Sequence, residues 1–539
     1  MNARKRILLS TAAVFLAALP LRCVASTVCE NLTNLKLPGT TIKSAESVPA
    51  GNFITSDKVT RIAPTAFCRV VASAQMAPDS DIGVEIWLPE EGWSGVFHGT
   101  GNGGYGGAFR SGYGGMEAGM RRGYASATTD MGTAPSDVLN GDPLIGHPQK
   151  WKDWGLLSTH VMTVVGKEIA TSFYGAPPKR SYFTGCSTGG QQGLIEAQHY
   201  PDDYDGIVSG APVVNRTWGH AAAVWDYQAA HLLPGRELSE SKLMLLHAAA
   251  IKACGAKGSG LASDPFVADP LACKFDPAIL RCRGADSNTC LTAGEVATAK
   301  AFYSGPVSRA GKPLYFGWLP GAEMGPPSWR FAQAPPNAPQ EPAFDSLFKW
   351  VFGAHWDWRT FDFTHDMAKV DAVLGPALNG ATVADLRAFE ARGGKLILYQ
   401  GWADTLVSPN QTVAFYRKFA ARDGGVAKTR KFARLFMVPG MGHCGGGDGP
   451  NSLSAMWPAG QEPRPDAPDH DVFAAMTRWV ESGKAPTQII ATKYVDDTPA
   501  KGIVMQRPLC PYPQKAWYKG SGRTSDADSF VCAAKKPMP

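Results

Sequence analysis

The sequence predicts an α/β protein in which a mainly parallel sheet, flanked by helices, is interrupted by a large inserted segment. Three observations lead there. From Thr27 to about Asn215, short apolar runs alternate with glycine-rich loops and stretches of helical periodicity, and strand–helix–strand alternation favours a parallel sheet. From about Trp218 to Asp385 that alternation disappears, while prolines, glycines and tryptophans rise. It resumes at Lys395-Leu396-Ile397-Leu398-Tyr399. With 539 residues, 44% of them hydrophobic, the chain has material for a large core carrying an insertion. The expected division is a leader over residues 1–25, a first core part over 26–215, a lid over 216–386, and a second core part over 387–539.

The leader has a basic start (Arg4, Lys5, Arg6), an apolar run from Ile7 to Leu21, and small residues at Val24-Ala25-Ser26. That is the pattern of a cleavable secretory signal, cut after Ala25. Pro20 and Arg22 break and close the apolar run, which disfavours a retained anchor, and no later stretch is apolar for long enough to span a bilayer. Cleavage removes four basic residues and no acid, so the formal charge falls from +6 to +2. The basic balance is partly an export feature and makes no case for nucleic-acid binding. Eleven cysteines become ten once Cys23 is gone, and an even set in an exported chain implies disulfides. Cys29 with Cys68, Cys254 with Cys273, Cys282 with Cys290, and Cys510 with Cys532 could each close a local loop, which would leave Cys186 and Cys444. The sequence itself leaves every other connectivity open. A secreted or periplasmic location is expected.

Val84 to Leu88 and Gly95 to His98 have strand character, and the second leads into Gly99-Thr100-Gly101-Asn102-Gly103-Gly104. A loop so bare leaves backbone N–H groups free to approach a substrate oxygen, and no Gly-Lys-Ser/Thr ending comes after it to make it a phosphate loop. Leu157, Val161, Val164, Val165, Ile169 and Phe173 recur at helical spacing, predicting a helix packed on the sheet. Ser181-Tyr182-Phe183 is a strand run, Gly190 to Gln198 a helix run, and Tyr204 to Val208 the next buried strand. In the lid, Trp329, Trp350, Phe352 and Trp356 are candidates to line a pocket for an aromatic group, although most aromatics there should be core. After the strand at Lys395, Leu435-Phe436-Met437-Val438 is another, followed by a helix from Asp471 to Ser482 and an irregular tail.

Gly185-Cys186-Ser187-Thr188-Gly189 sits between its strand and its helix. Glycine two places either side of a serine permits the sharp strand-to-helix turn that projects the nucleophile of α/β hydrolases. Asp404, in Gly401-Trp402-Ala403-Asp404, and His443, in Pro439-Gly440-Met441-Gly442-His443-Cys444, each lie just past a strand end and complete the chain order Ser, Asp, His. A serine hydroxyl is a poor nucleophile at neutral pH. His443 would take its proton and Asp404 would orient the imidazole, with the backbone N–H groups of Thr188 and Gly103 holding the oxyanion. Asp130, Asp153 and Asp448, and His98, His160, His199 and His220, lack the late strand-end position. A disulfide between Cys186 and Cys444 would clamp the serine beside the histidine.

Gly-Cys-Ser-Thr-Gly-Gly at 185–190, Tyr204 to Pro212, Gly-Trp-Ala-Asp at 401–404, Pro-Gly-Met-Gly-His-Cys at 439–444 and Pro508-Leu509-Cys510-Pro511-Tyr512-Pro513 together resemble the tannase and feruloyl esterase family. The resemblance covers nearly all of the mature chain. It implies an α/β-hydrolase core with a large lid, Ser187, Asp404 and His443 as the triad, the Cys186–Cys444 bridge and the four local disulfides. It also implies a small-molecule ester of an aromatic acid as substrate, feruloyl, hydroxycinnamoyl or galloyl, with MHETase-like monoester hydrolysis as the alternative. Trp356 to Phe363 is more similar to feruloyl esterase lids than to MHETase. The reading from a different class is a non-catalytic polyphenol- or carbohydrate-binding secreted protein. No catalytic cofactor is expected. Family lids carry a calcium loop of aspartates; here Gly255 and Gly258 stand where its first two would be, leaving only Asp264 and Asp269 nearby. Calcium wants six to eight oxygens, so a tight site is not expected.

Overall fold

The computed structural model describes residues 28–453 and 467–537; the expected leader lies outside them. Nine strands form the main sheet: β1 (Thr40–Val48), β2 (Phe67–Ala74), β3 (Ile82–Pro89), β4 (Val96–Thr100), β5 (Ala125–Thr129), β6 (Arg180–Cys186), β7 (Gly206–Gly210), β8 (Lys395–Gly401) and β9 (Ala433–Val438). Their spatial order is β1-β2-β3-β5-β4-β6-β7-β8-β9. The pairings from β1 through β3 to β5 are antiparallel, and β4 through β9 run parallel. The expected α/β-hydrolase architecture is thus present, with a mainly parallel sheet.

Parallel strands are covered on both faces, which is why β4 and β7 are buried at every position. One face carries α1 (Ser158–Tyr174) and α2 (Thr188–His199), which pack Val161, Val165, Ile169, Leu194 and Ile195 on Phe97 and Phe183. Val164 is the exception to the expected stripe and faces solvent. The strand expected at Tyr204 begins two residues later, because the Tyr204 side chain turns under α1 to bond Thr163.

Between β7 and β8 the chain adds no strand to this sheet. It forms α3 (Arg216–His231), α4 (Glu240–Cys254) and further helices and loops, with disulfides Cys254–Cys273 and Cys282–Cys290. Beyond β8 come α5 (Pro409–Arg422) and α6 (Val472–Ser482). Helix α6 is N-capped by Asp471 and covers the second face of the sheet, packing Phe473, Met476 and Trp479 against Tyr182, Val208 and Ile397. The tail is not irregular as expected. It forms two antiparallel pairs, Ile489–Tyr494 with Ile503–Leu509 and Lys515–Tyr518 with Phe530–Ala533. Prolines at 499, 508, 511 and 513 mask these strands in the sequence; Pro508 sits inside one, where a missing N–H is tolerated at a sheet edge. Cys510–Cys532 and Cys29–Cys68 complete the local disulfides.

The register of the parallel strands sets the site. Thr100 pairs with Thr184, and Cys186 with Gly210, while Gly401 pairs with Val438. The chain therefore leaves β4, β6, β8 and β9 at one edge of the sheet, the edge where open α/β sheets bind ligands.

Candidate active site

Ser187 stands between β6 and α2 with φ 64° and ψ −120°. Such a backbone costs on the order of 1–3 kcal/mol and persists only where its surroundings fix it. Its N–H donates to the Gly210 carbonyl at 3.0 Å. Gly185 has no room for a side chain, since a Cβ there would lie 2.6 Å from the Gly189 carbonyl oxygen. Nor has Gly101, whose Cβ would lie 2.5 Å from the Gly189 Cα. The two segments thus meet backbone to backbone. The Gly189 N–H donates to the Asn102 carbonyl at 2.8 Å, and the Asn102 N–H to Gln192 Oε1 at 2.9 Å. The Thr188 hydroxyl donates to the Gly104 carbonyl at 2.9 Å, which also accepts from the Trp154 indole at 3.1 Å. Among the described residues, the Gly103 and Thr188 amides donate to no protein acceptor.

Asp404 is wholly buried, and its carboxylate is held by four donors. Oδ1 accepts from the N–H groups of Leu406 at 2.8 Å and Val407 at 2.9 Å. Oδ2 accepts from Gln400 Nε2 at 2.8 Å and His443 Nδ1 at 2.9 Å. A carboxylate only accepts, so Nδ1 carries a ring proton, and in the neutral imidazole Nε2 is then the nitrogen with the lone pair. The His443 backbone is pinned by its own N–H, which donates to the Pro326 carbonyl at 2.7 Å. Cys444, at φ 64°, is bonded to Cys186 across a sequence separation of 258. The residue after the histidine is thereby joined covalently to the residue before the serine.

Ser187, His443, Gly103 and Cys444 wall a cavity of about 360 Å³ with Val138, Leu139, Phe331, Phe344 and Tyr399. A narrower one of about 50 Å³ also reaches Ser187, lined by Thr188, Arg216, Asp226, Trp318 and Gln411, and shares Phe331 and Phe344 with the first. Burial pushes the Asp226 carboxyl well above its usual range despite the Trp318 indole N–H that it accepts at 2.7 Å. Burial and the Arg216 charge keep His220 neutral.

The four aromatic candidates line neither cavity. Trp329 is buried with Leu238, Phe302 and Trp318. Trp350 stacks on Trp151 with ring centroids 5.5 Å apart, and Phe352 and Trp356 pack around Phe361. Trp329 and Trp350 are core, and Phe352 and Trp356 are half-buried against it. The residues that do wall the cavities, Phe331, Phe344 and Arg216, carry no distinguishing mark in the sequence. Phe344 has φ 60° and is fixed by its carbonyl, which accepts from the Tyr105 hydroxyl at 2.8 Å; no local pattern signals that. Among the other histidines, His98 is buried in β4 against Thr184, where burial pulls its pKa down to about 3, and His160 pairs with Asp203.

The residues do not fit a calcium loop. Asp264 is engaged by Arg507, N to O 2.8 Å, with both side chains buried, and Asp269 by Lys515. Each carboxylate already faces an internal cation, and a calcium ion would sit beside those like charges. Two other groups bring three candidate ligand atoms together among the described residues. In one, Cys282 and Cys290 are consumed by their disulfide; in the other, His160 joins Glu196 and Asp203.

The family model described as tannase and feruloyl esterase matches residues 68–533. An uncharacterized esterase of Xanthomonas campestris pv. campestris is 39% identical over 98% of this chain and 94% of its own. The mono(2-hydroxyethyl) terephthalate hydrolase of Piscinibacter sakaiensis is 34% identical, over 84% of this chain and 82% of its own. The crystal structure of feruloyl esterase B from Aspergillus oryzae superposes with a TM-score of 0.84 at 28% identity, covering 94% of this chain and 99% of that one.

Proposed function

The chain belongs to the tannase and feruloyl esterase family, and from that premise we propose that it is an exported serine esterase cleaving esters of aromatic carboxylic acids through an acyl-enzyme. Ser187 attacks the ester carbonyl as His443 Nε2 takes its proton, and Asp404 stabilises the imidazolium that forms. The Gly103 and Thr188 amides donate to the tetrahedral oxyanion; one such donor is typically worth ~3 kcal/mol. His443 then protonates the departing alcohol, and water repeats the sequence on the acyl-enzyme. Every group in this cycle belongs to the chain, so the chemistry calls for no cofactor.

One observation carries the reading: Asp404 fixes the tautomer of His443 while the Cys186–Cys444 bond ties the histidine loop to the serine turn. The substrate class is a feruloyl, other hydroxycinnamoyl or galloyl ester, its ring lying against Phe331 and Phe344, which wall both cavities. A terephthalate monoester is the second reading, favoured by the 34% identical hydrolase. Residues 216–386 act as the lid that supplies these walls. Export is supported by five disulfides and by the leader pattern; no helix among the described residues is long and apolar enough to cross a membrane.

The test is labelling by a fluorophosphonate probe, lost in Ser187→Ala, with kcat/KM ranked across methyl ferulate, methyl gallate and a terephthalate monoester. Folded protein that neither labels nor hydrolyses any of the three would leave the binding-protein reading standing instead.

A further inference from the structure

Arg216 opens α3 and is 4% exposed, yet among the described residues no carboxylate lies within ion-pair distance of it. All its protein partners are neutral. Nε donates to Gln191 Oε1 at 2.8 Å, Nη2 to that same oxygen and to Thr188 Oγ1 at 3.1 Å, and the guanidinium lies 4.5 Å over the Trp154 ring. Gln191 is itself held, its Nε2 donating to the Leu378 carbonyl at 2.6 Å. Burial pulls the proton affinity of Arg216 down, but a guanidinium keeps its charge at neutral pH. Isolated buried charges are costly, and the rule is that they are paired. Here the cation is placed against Thr188 and lines the narrow cavity beside Ser187.

The partner missing from the resting enzyme is one that catalysis makes. We propose that Arg216 is a positioning residue of the oxyanion hole, holding Thr188 in register with the Gly103-Gly104 loop and setting a positive field that is matched only when the tetrahedral oxyanion forms. This rests on Ser187 being the nucleophile. Two structural links support it. Thr188 Oγ1 accepts from Arg216 and donates to the Gly104 carbonyl, so one hydroxyl couples the guanidinium to both segments that carry the candidate donors. Trp154, under the guanidinium, donates its indole N–H to the same carbonyl. A preorganised charge aimed at developing negative charge acts on the transition state and not on the neutral ester, so it belongs in kcat.

The experiment compares wild type, Arg216→Met, Arg216→Lys and Thr188→Val on methyl ferulate, and measures inhibition by an aryl boronic acid as a tetrahedral mimic. Arg216→Met is expected to lower kcat about 10- to 100-fold with KM within about threefold, and to weaken the boronate by a similar factor. Arg216→Lys should recover part of both, keeping the charge but losing the fork. Thr188→Val, which removes the linking hydroxyl with little change in volume, should show the same kcat-weighted loss and covers the case in which Arg216→Met does not fold. Unchanged kcat in folded Arg216→Met, or a loss confined to KM, overturns the proposal. So does a Lys variant no better than Met on both readouts, or, if Met fails to fold, wild-type kcat in Thr188→Val. Fluorophosphonate labelling of the wild type separates the two readings: an unlabelled wild type refutes the nucleophile itself, while a labelled one with an indifferent Arg216→Met refutes only the role of the arginine.

Discussion

Asp404→Asn changes one atom in a carboxylate that four donors hold, and the geometry of those donors dictates where the new amide points. The amide offers one acceptor where there were two. Oδ1 faces two backbone N–H groups, Leu406 and Val407, which cannot become acceptors, so the amide oxygen must stay there. The new NH2 then occupies the Oδ2 position, facing His443 Nδ1 and Gln400 Nε2. His443 answers by accepting at Nδ1, which moves its proton to Nε2 and removes the lone pair that takes the Ser187 proton. Gln400 cannot readily flip to help, because its Oε1 already accepts from the Thr412 hydroxyl at 2.9 Å. The wrong tautomer is worth about 10⁴ in kcat, equivalent to about 5.4 kcal/mol of barrier. Two facing donors add a stability cost of about 1–3 kcal/mol. Initial rates on methyl ferulate, rates of fluorophosphonate labelling and thermal unfolding should move together. A folded Asp404→Asn within tenfold of wild-type kcat would refute the assignment of the acid.

Replacing both Cys186 and Cys444 by Ala frees two segments 258 positions apart and is expected to cost about 2–4 kcal/mol of stability and more than tenfold in kcat; unfolding curves and initial rates check both, and an unaltered kcat would show that the bridge does not position the site. Excess chelator is expected to leave Tm unchanged, whereas Arg507→Gln, which strands buried Asp264, should cost about 3–5 kcal/mol; a chelator-sensitive Tm in the wild type would contradict this. Burial opposes protonation of His247, but the carboxylates of Asp448 and Glu323 outweigh it and raise its pKa from 6.5 to about 9. That pairing stabilises the fold fully below about pH 6.5 and is lost as pH rises through 9, so the Tm gap between wild type and His247→Gln should shrink between pH 6 and pH 10.

What the chain reveals before folding divides by the range of the interactions involved. The strands at Lys395 and Ala433 are legible because parallel strands buried on both faces are written as near-continuous apolar runs, Leu396 to Tyr399 and Leu435 to Val438. Those at Val96 and Arg180 show only the short apolar pairs Val96-Phe97 and Tyr182-Phe183 and are legible chiefly from the glycine-rich turns that follow them. The serine turn is legible because Gly185 is dictated by a contact close in sequence, with Gly189, although Gly189 itself answers to Gly101 and Asn102 far back in the chain. The tail is not, since prolines flank its strands and Pro508 lies inside one of them. The pocket is illegible for a different reason: Trp329 and Trp350 have the composition of a binding wall, but which aromatic reaches the serine depends on Phe344 being held at a positive φ by Tyr105, 239 residues away.

Charge placement is the least legible layer, and it differs in kind. Asp264 and Asp269 find Arg507 and Lys515 across 243 and 246 positions, so cations supplied by the tail stand where the family pattern suggests a metal. Arg216 is the converse case: in sequence it is an ordinary first-turn residue of a helix capped by Asn215, and its significance lies in the carboxylate that never arrives. A paired charge and an unpaired one look alike in a sequence, because the desolvation that makes the difference is decided by the whole fold. The same fold that neutralises two buried aspartates beside the tail leaves one buried arginine unneutralised beside the serine. Burying such a charge costs stability, and the role proposed for it beside Thr188 is to meet a negative charge that exists there only during turnover.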